Sequence, residues 1–338
     1  VEQYYEAPLD ARTGDIDLEA WKQRLNQVSA VFLQCPDIDD GKLDLDVETT
    51  RNYLVNSDGT TVVQNRHSAR IIMSASIKAV DGMVCPLYQD YFALSVDRLP
   101  DVATLRSDAL RLIERLKALR TAPVADPYTG PALLSGPASG VFFHEIFGHR
   151  LEGHRMKSGG QTFKKMVGER VLPATFQVRC DPTIHSYGGR DLNGGYAYDD
   201  EGVRARRVDC VRDGVLSEFL MSRVPLDGFP VSNGHGRTSG GNDPVSRQSN
   251  LIVETTQPYT SQQLRDMLIA EARRQGKDYG YYFTTVRNGY TLTGEGGSLN
   301  SFNVTPLEVY RVFTDGRPDQ LVRGVDLIGT PLSMFSNI

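Results

Sequence analysis

Two histidines and a glutamate are the residues best placed to do chemistry. In Phe142-Phe143-His144-Glu145-Ile146-Phe147-Gly148-His149-Arg150, two imidazoles bracket a carboxylate, with an apolar shoulder upstream. Such a set can hold a zinc ion and activate a water on it, which is the signature of a metallohydrolase. The spacing is His-Glu-x-x-x-His, one residue longer than a helix face favours. Residues four apart share a face, whereas residues five apart are rotated by about 140°. An ideal helix therefore cannot aim His144 and His149 at one ion. Gly148 is the expected site of a bulge, an unwound turn or a helix end, in a helix entered after Gly136-Pro137-Ala138-Ser139-Gly140. On spacing alone, a metal centre and a solvated helix face both stay open.

Other groups offer weaker chemistry. His154, five residues after His149, is a candidate stand-in ligand, although histidines at that distance are more often surface groups or outer partners. His185 and His235 fall in loops rich in Gly and Ser, where a hydrogen-bonded loop histidine is the simpler expectation. Asp199, Asp200 and Glu201 can bind a cation, but an acidic turn ahead of a strand explains them equally well. Arg150, Arg155, Lys157, Lys164 and Lys165 can attract a peptide carboxylate, yet a charge run is usually a solvated face.

The elements that must position these groups come from an ordinary globular composition. The 338 residues are 40% hydrophobic and 23% charged, enough for two domains with separate cores. A net charge of -5 argues against a nucleic-acid surface, and no stretch is long and apolar enough for a membrane span. Cys35, Cys85, Cys180 and Cys210 form no C-x-x-C pair and read as reduced, buried residues, although Cys180 and Cys210 can meet in space. The chain starts at Val1 without a methionine, so an upstream part is expected; the compartment is taken as cytoplasmic, with periplasmic as the alternative.

Leu18, Trp21, Leu25 and Val28 recur at helical spacing, as do Leu105, Ala109, Leu112, Ile113 and Leu116 between Asp101 and Arg120. Tyr53 to Val63 reads as a hairpin about Asp58-Gly59, followed by another strand from Ala69 to Val80. Three prolines and a glycine between Thr121 and Pro131 mark a linker. The expected fold is α+β in two domains: a smaller mixed N-terminal part over residues 1–125, and a larger β-rich part over 126–338 that carries the motif helix. Hairpins are expected about Asp213-Gly214 and Asp315-Gly316, a helix capped by Thr260, and tight loops at Gly188-Gly189 and Gly294-Glu295-Gly296-Gly297.

His144 to Gly153, Tyr198-Asp199-Asp200-Glu201-Gly202, Asp213-Gly214-Val215-Leu216 with Ser222-Arg223, and Arg323 to Gly329 together resemble the TldD/PmbA metallopeptidase family. The resemblance covers most of Pro131 to Ile338 and, more loosely, the hairpin region before it. It implies a zinc-dependent peptidase of the motif-bearing, TldD-like type acting on unfolded or extended peptides. It also implies a homodimer, or a heterodimer with a related PmbA-like subunit. His144 and His149 would be zinc ligands and Glu145 the general base. In the family a downstream cysteine supplies the third ligand. No cysteine follows Cys210 here, so that ligand is expected beyond Ile338. Two other classes stay in view: a non-catalytic binding subunit that retains the motif, and a topoisomerase-associated regulator, against which the acidic charge argues.

Overall fold

A computed structural model describes residues 1–13, 15–157, 163–291, 302–329 and 334–338. The chain opens with β1 (Gln3–Tyr5) and α1 (Leu18–Ser29), whose first turn is capped by Asp17 accepting from the Ala20 amide at 2.9 Å. The predicted hairpin is present and much longer than its signal: β2 (Ile38–Val55) pairs antiparallel with β3 (Thr61–Lys78) along its whole length. Gly59, at φ 89°, takes the left-handed turn position, and the Asn56 side chain accepts from the Asp58 and Thr60 amides at 3.0 and 3.1 Å. The two strands expected at Val62-Val63 and from Ala69 are thus a single strand. The polar run Gln64-Asn65-Arg66-His67 that appeared to separate them crosses the sheet without a break.

Next come β4 (Val84–Ala93), paired with β3, and α2 (Val102–Thr121), capped by Asp101. Sequence periodicity did not predict β4. Its Pro86, Tyr88 and Asp90 interrupt the apolar pattern, and pairing to β3 supplies what its own sequence lacks. Ala69, Ile71, Met73, Ala75 and Ile77 alternate onto one buried face of β3. Trp21 and Val28 of α1, and Leu105, Ala109, Leu112, Ile113 and Leu116 of α2, cover that face as their spacing predicted. Each large side chain so buried contributes roughly 1.5–3 kcal/mol.

Beyond the proline-rich segment, β5 (Ala132–Leu134) leads into α3 (Gly136–Phe142), and the chain continues through β6 (Phe176–Cys180), β7 (Ser186–Tyr187) and β8 (Arg190–Asp191). Then follow β9 (Val208–Arg212), β10 (Val215–Leu216), β11 (Gly236–Arg237), β12 (Val245–Ser246), β13 (Leu251–Thr255), α4 (Ser261–Arg274), β14 (Tyr279–Thr291), β15 (Phe302–Phe313), β16 (Gln320–Val322) and β17 (Leu327–Gly329). The hairpin about Asp213-Gly214 is observed with both residues at positive φ, 50° and 76°. The Asp315-Gly316 hairpin and the Thr260 cap, a capping box closed by Gln263, are observed too. Gly188-Gly189 forms the predicted tight turn between β7 and β8, whereas Gly294 to Gly297 lie outside the described residues.

Two sheets, ordered β16-β15-β14-β5 and β10-β9-β6-β13, bury the second apolar cluster. Leu307 and Leu321 from this part pack against the first cluster, and α2 reaches across as well: Arg115 donates to Glu308 of β15 at 2.9 Å. Mixed α and β architecture was expected and is observed. Among the described residues, no helix is long and apolar enough to cross a membrane.

Candidate metal centre

The motif is anchored from behind. Ser135 caps α3 by accepting from the Ala138 amide at 3.2 Å, and Pro137 fits the first turn, where a missing N–H costs nothing. Phe142, Phe143 and Phe147 then turn inward, and Phe147 packs on Phe163 and Phe335 at 5.1 and 5.0 Å between ring centroids. This is the apolar shoulder of the sequence, and it holds one side of the segment in the core.

The helix is distorted up to Gly148, where a break was expected. Residues Phe143–Phe147 form a π turn, and a 3-10 turn follows over Gly148–Leu151. The Gly148 amide lies in the widened turn and donates to both His144 O and Phe143 O, the latter an i→i+5 bond. The widened turn, followed by the tighter one, brings the side chains at 144 and 149 to one side, which an α-helix does not. Gly148 itself has ordinary helical dihedrals, φ -60° and ψ -43°, so backbone freedom is not what it supplies. It supplies space, because a Cβ there would overlap the side-chain amide of Gln248.

The His144 and His149 rings meet edge to face with centroids 4.8 Å apart. His149 Nε2 is 3.5 Å from Glu145 Oε2, and His144 Nε2 is 3.9 Å from Glu145 Oε1. One ligand atom from each of the three lies within 4.8 Å of the others, and this is the group of that kind found among the described residues. The two imidazole nitrogens are donors that suit zinc among the divalent ions, with a carboxylate beside them. His144 is half exposed, while His149 and Glu145 are about five-sixths covered, at 16% and 17% exposure. Burial and the neighbouring His149 pull His144 below its ordinary pKa, which favours the neutral, ligating form. For His149, burial acts in the same direction but is outweighed by Glu145 and Glu152, and the net shift is upward.

Glu152 went unnoticed in the sequence as a site residue although it sits three positions after His149. Its carboxylate is buried, 3.0 Å from His149 Nδ1 and 2.6 Å from Arg155 Nε. Gln248, far away in sequence, places Nε2 3.3 Å from His144 O. Nothing local could have revealed it.

The basic run is not a solvated face throughout. Arg150 is completely buried, with Nη1 donating to Ile146 O and burial lowering its pKa to about 10, and Arg155 is engaged by Glu152, whereas Lys157, Lys164 and Lys165 are exposed. His154 does not join the group of three. Asp199 is the keystone of its own turn: its carboxylate accepts from the amides of Glu201, Val203 and Gly236 at 3.0, 2.9 and 2.9 Å, while burial pushes its pKa up to about 6. Asp200 accepts from the Thr238 amide at 2.7 Å and Glu201 from the Arg223 amide at 2.6 Å. His235 is a satisfied interior histidine, bonded to Asn233 and Ser249 at 3.2 and 3.1 Å. Cys180 and Cys210 do meet, as buried free thiols, and Cys180 raises the Cys210 pKa further.

A polar groove of about 860 Å³ reaches the surroundings of the centre at Gln248 and is not itself lined by His144, Glu145 or His149. One wall is β2 and β3, with Thr50, Asn52 and Gln64; the other is the chain from Thr183 to Ala205, which includes His185; and Gln248 belongs both to the groove and to the surroundings of His144.

Residues 127–338 match the family model for the PmbA/TldA metallopeptidase C-terminal domain. A protein of Archaeoglobus fulgidus named a metalloprotease is 29% identical over 230 residues, covering 68% of this chain and 49% of that protein. A protein of Saccharolobus solfataricus named a zinc metalloprotease TldD homolog is 26% identical over 233 residues, covering 68% of this chain and 46% of that protein. The chain thus spans about half the length of these relatives. The crystal structure of TldE from Thermococcus kodakarensis shares the fold, with a TM-score of 0.69 at 15% identity over 98% of this chain and 70% of that one.

Proposed function

Because the chain belongs to the TldD/PmbA metallopeptidase family, we propose that it is a zinc-dependent peptidase in which His144 and His149 hold the ion and Glu145 is the general base. The observation that carries this reading is the convergence of the two imidazoles and the carboxylate within 4.8 Å on a turn widened for that spacing. Zinc in such a site lowers the pKa of a bound water and polarises a peptide carbonyl. In this reading Glu145, mostly covered and 3.5 Å from His149 Nε2, takes a proton from the attacking water and returns it to the leaving amine. The groove that meets the centre at Gln248 is polar and has β2 and β3 along one wall, which suits an unfolded or extended peptide better than a folded protein. We place the active chain in a homodimer, or in a heterodimer with a related PmbA-like subunit, a reading that the likeness to TldE supports.

The decisive experiment is Glu145→Gln. Metal content should persist in this variant while peptide cleavage is lost, and unchanged cleavage would sink the proposal. Absence of stoichiometric zinc in the unmodified protein by elemental analysis would instead favour a non-catalytic binding subunit.

A further inference from the structure

We infer that Glu152 is a positioning residue for His149: it accepts a hydrogen bond from Nδ1–H and leaves the Nε2 lone pair directed at Glu145 and His144. This inference rests on the zinc reading above for its use, but its geometry is independent of it.

Three groups surround His149 Nδ1. Glu152 Oε1 lies at 3.0 Å, Gln248 Nε2 at 3.4 Å and Arg155 Nη2 at 3.5 Å. The first is an acceptor and the other two are donors, so the distances decide the tautomer. Each ring nitrogen faces a carboxylate oxygen, Nδ1 that of Glu152 at 3.0 Å and Nε2 that of Glu145 at 3.5 Å, and the single proton of the neutral ring goes to the closer contact, where it makes a charge-assisted bond.

Glu152 has little freedom to do anything else. It is 1% exposed, its other oxygen is held by Arg155 at 2.6 Å with Arg247 at 3.7 Å, and its backbone bridges to Leu220. A buried carboxylate is costly unless paired, and these two guanidinium groups, one local and one from the segment after β12, fix its position. The opposite ring nitrogen then points to the centre, 3.5 Å from Glu145 Oε2. A carboxylate behind a metal-binding histidine fixes its tautomer and orientation and raises its basicity.

The test reads the tautomer and the affinity separately. In the unmodified, histidine-labelled chain above the His149 titration, nitrogen NMR should show Nδ1 protonated and Nε2 bare, with His149 assigned by its loss in His149→Gln. An Nε2–H tautomer overturns the inference, and this measurement needs no variant at Glu152. Zinc affinity, measured by competition with a chromophoric chelator at a temperature where the variant is fully folded, should fall about 10–100-fold in Glu152→Gln. Affinity equal to that of the unmodified chain in a folded Glu152→Gln also overturns it. If Glu152→Gln does not fold, the tautomer measurement decides. If the unmodified chain binds no zinc, the zinc reading fails, and the tautomer still decides this one.

Discussion

Gly148 lies directly against the side-chain amide of Gln248: a Cβ built on the glycine would come within 2.8 Å of Gln248 Nε2 and closer still to its carbonyl end. That amide also reaches His144 O at 3.3 Å, so the glycine and the glutamine together set how tightly the segment before β13 closes over the metal-binding turn.

Gly148→Ala is therefore expected to destabilise the fold by about 1 kcal/mol, the low end for overpacking, because the obstacle is the end of a flexible side chain that can swing aside. In a Gln248→Ala background the same change should cost less than about 0.5 kcal/mol, because the obstacle has gone. A double-mutant cycle in urea unfolding measures the difference, and additive effects would refute the contact as the cause.

Zinc should stabilise the protein if it binds the folded centre. At free zinc about 100 times its dissociation constant, the gain is about 2.7 kcal/mol. His149→Gln should abolish that gain, whereas His185→Gln, in the groove wall, should leave it intact. Thermal unfolding with and without zinc checks both.

His235 makes stability depend on pH. Burial pushes its pKa down to about 4 from an ordinary 6.5, so as pH falls the unfolded chain takes up this proton first. The folded state then loses up to about 3 kcal/mol between pH 6.5 and 4 from this one group, with no further loss below. Replacing His235 with Gln should flatten the stability profile across that window relative to the unmodified chain, and an unchanged slope would show that the buried imidazole is not responsible.

Arg115→Met tests the link between α2 and β15. Glu308 has a side-chain exposure of 3% and is held by Arg115 Nε at 2.9 Å and by the Thr285 hydroxyl at 2.6 Å. Removing the guanidinium leaves a buried carboxylate with one neutral donor, at a cost of about 3 kcal/mol. Urea unfolding should show a lower midpoint with an unchanged slope.

What the sequence by itself determined are features whose cause is local. The cap at Thr260, the Asp-Gly turns at 58–59, 213–214 and 315–316, and the helical spacing from Leu105 to Leu116 each follow from interactions within a few residues, and each is observed. The three candidate centre residues were legible for the same reason, since His144, Glu145 and His149 are near neighbours in the chain. Only the tertiary structure decided the rest. That β3 runs unbroken through Gln64-Asn65-Arg66-His67 depends on pairing with β2, and β4 exists through pairing with β3. The π turn over Phe143–Phe147 lies on a core in which Phe147 packs against Phe163 and Phe335, and the partners of the histidines include Gln248, 99 residues from His149. A five-residue spacing shows that a helix must deform. Where it deforms, and which buried carboxylate stands behind the second histidine, is set by the core on which the segment lies.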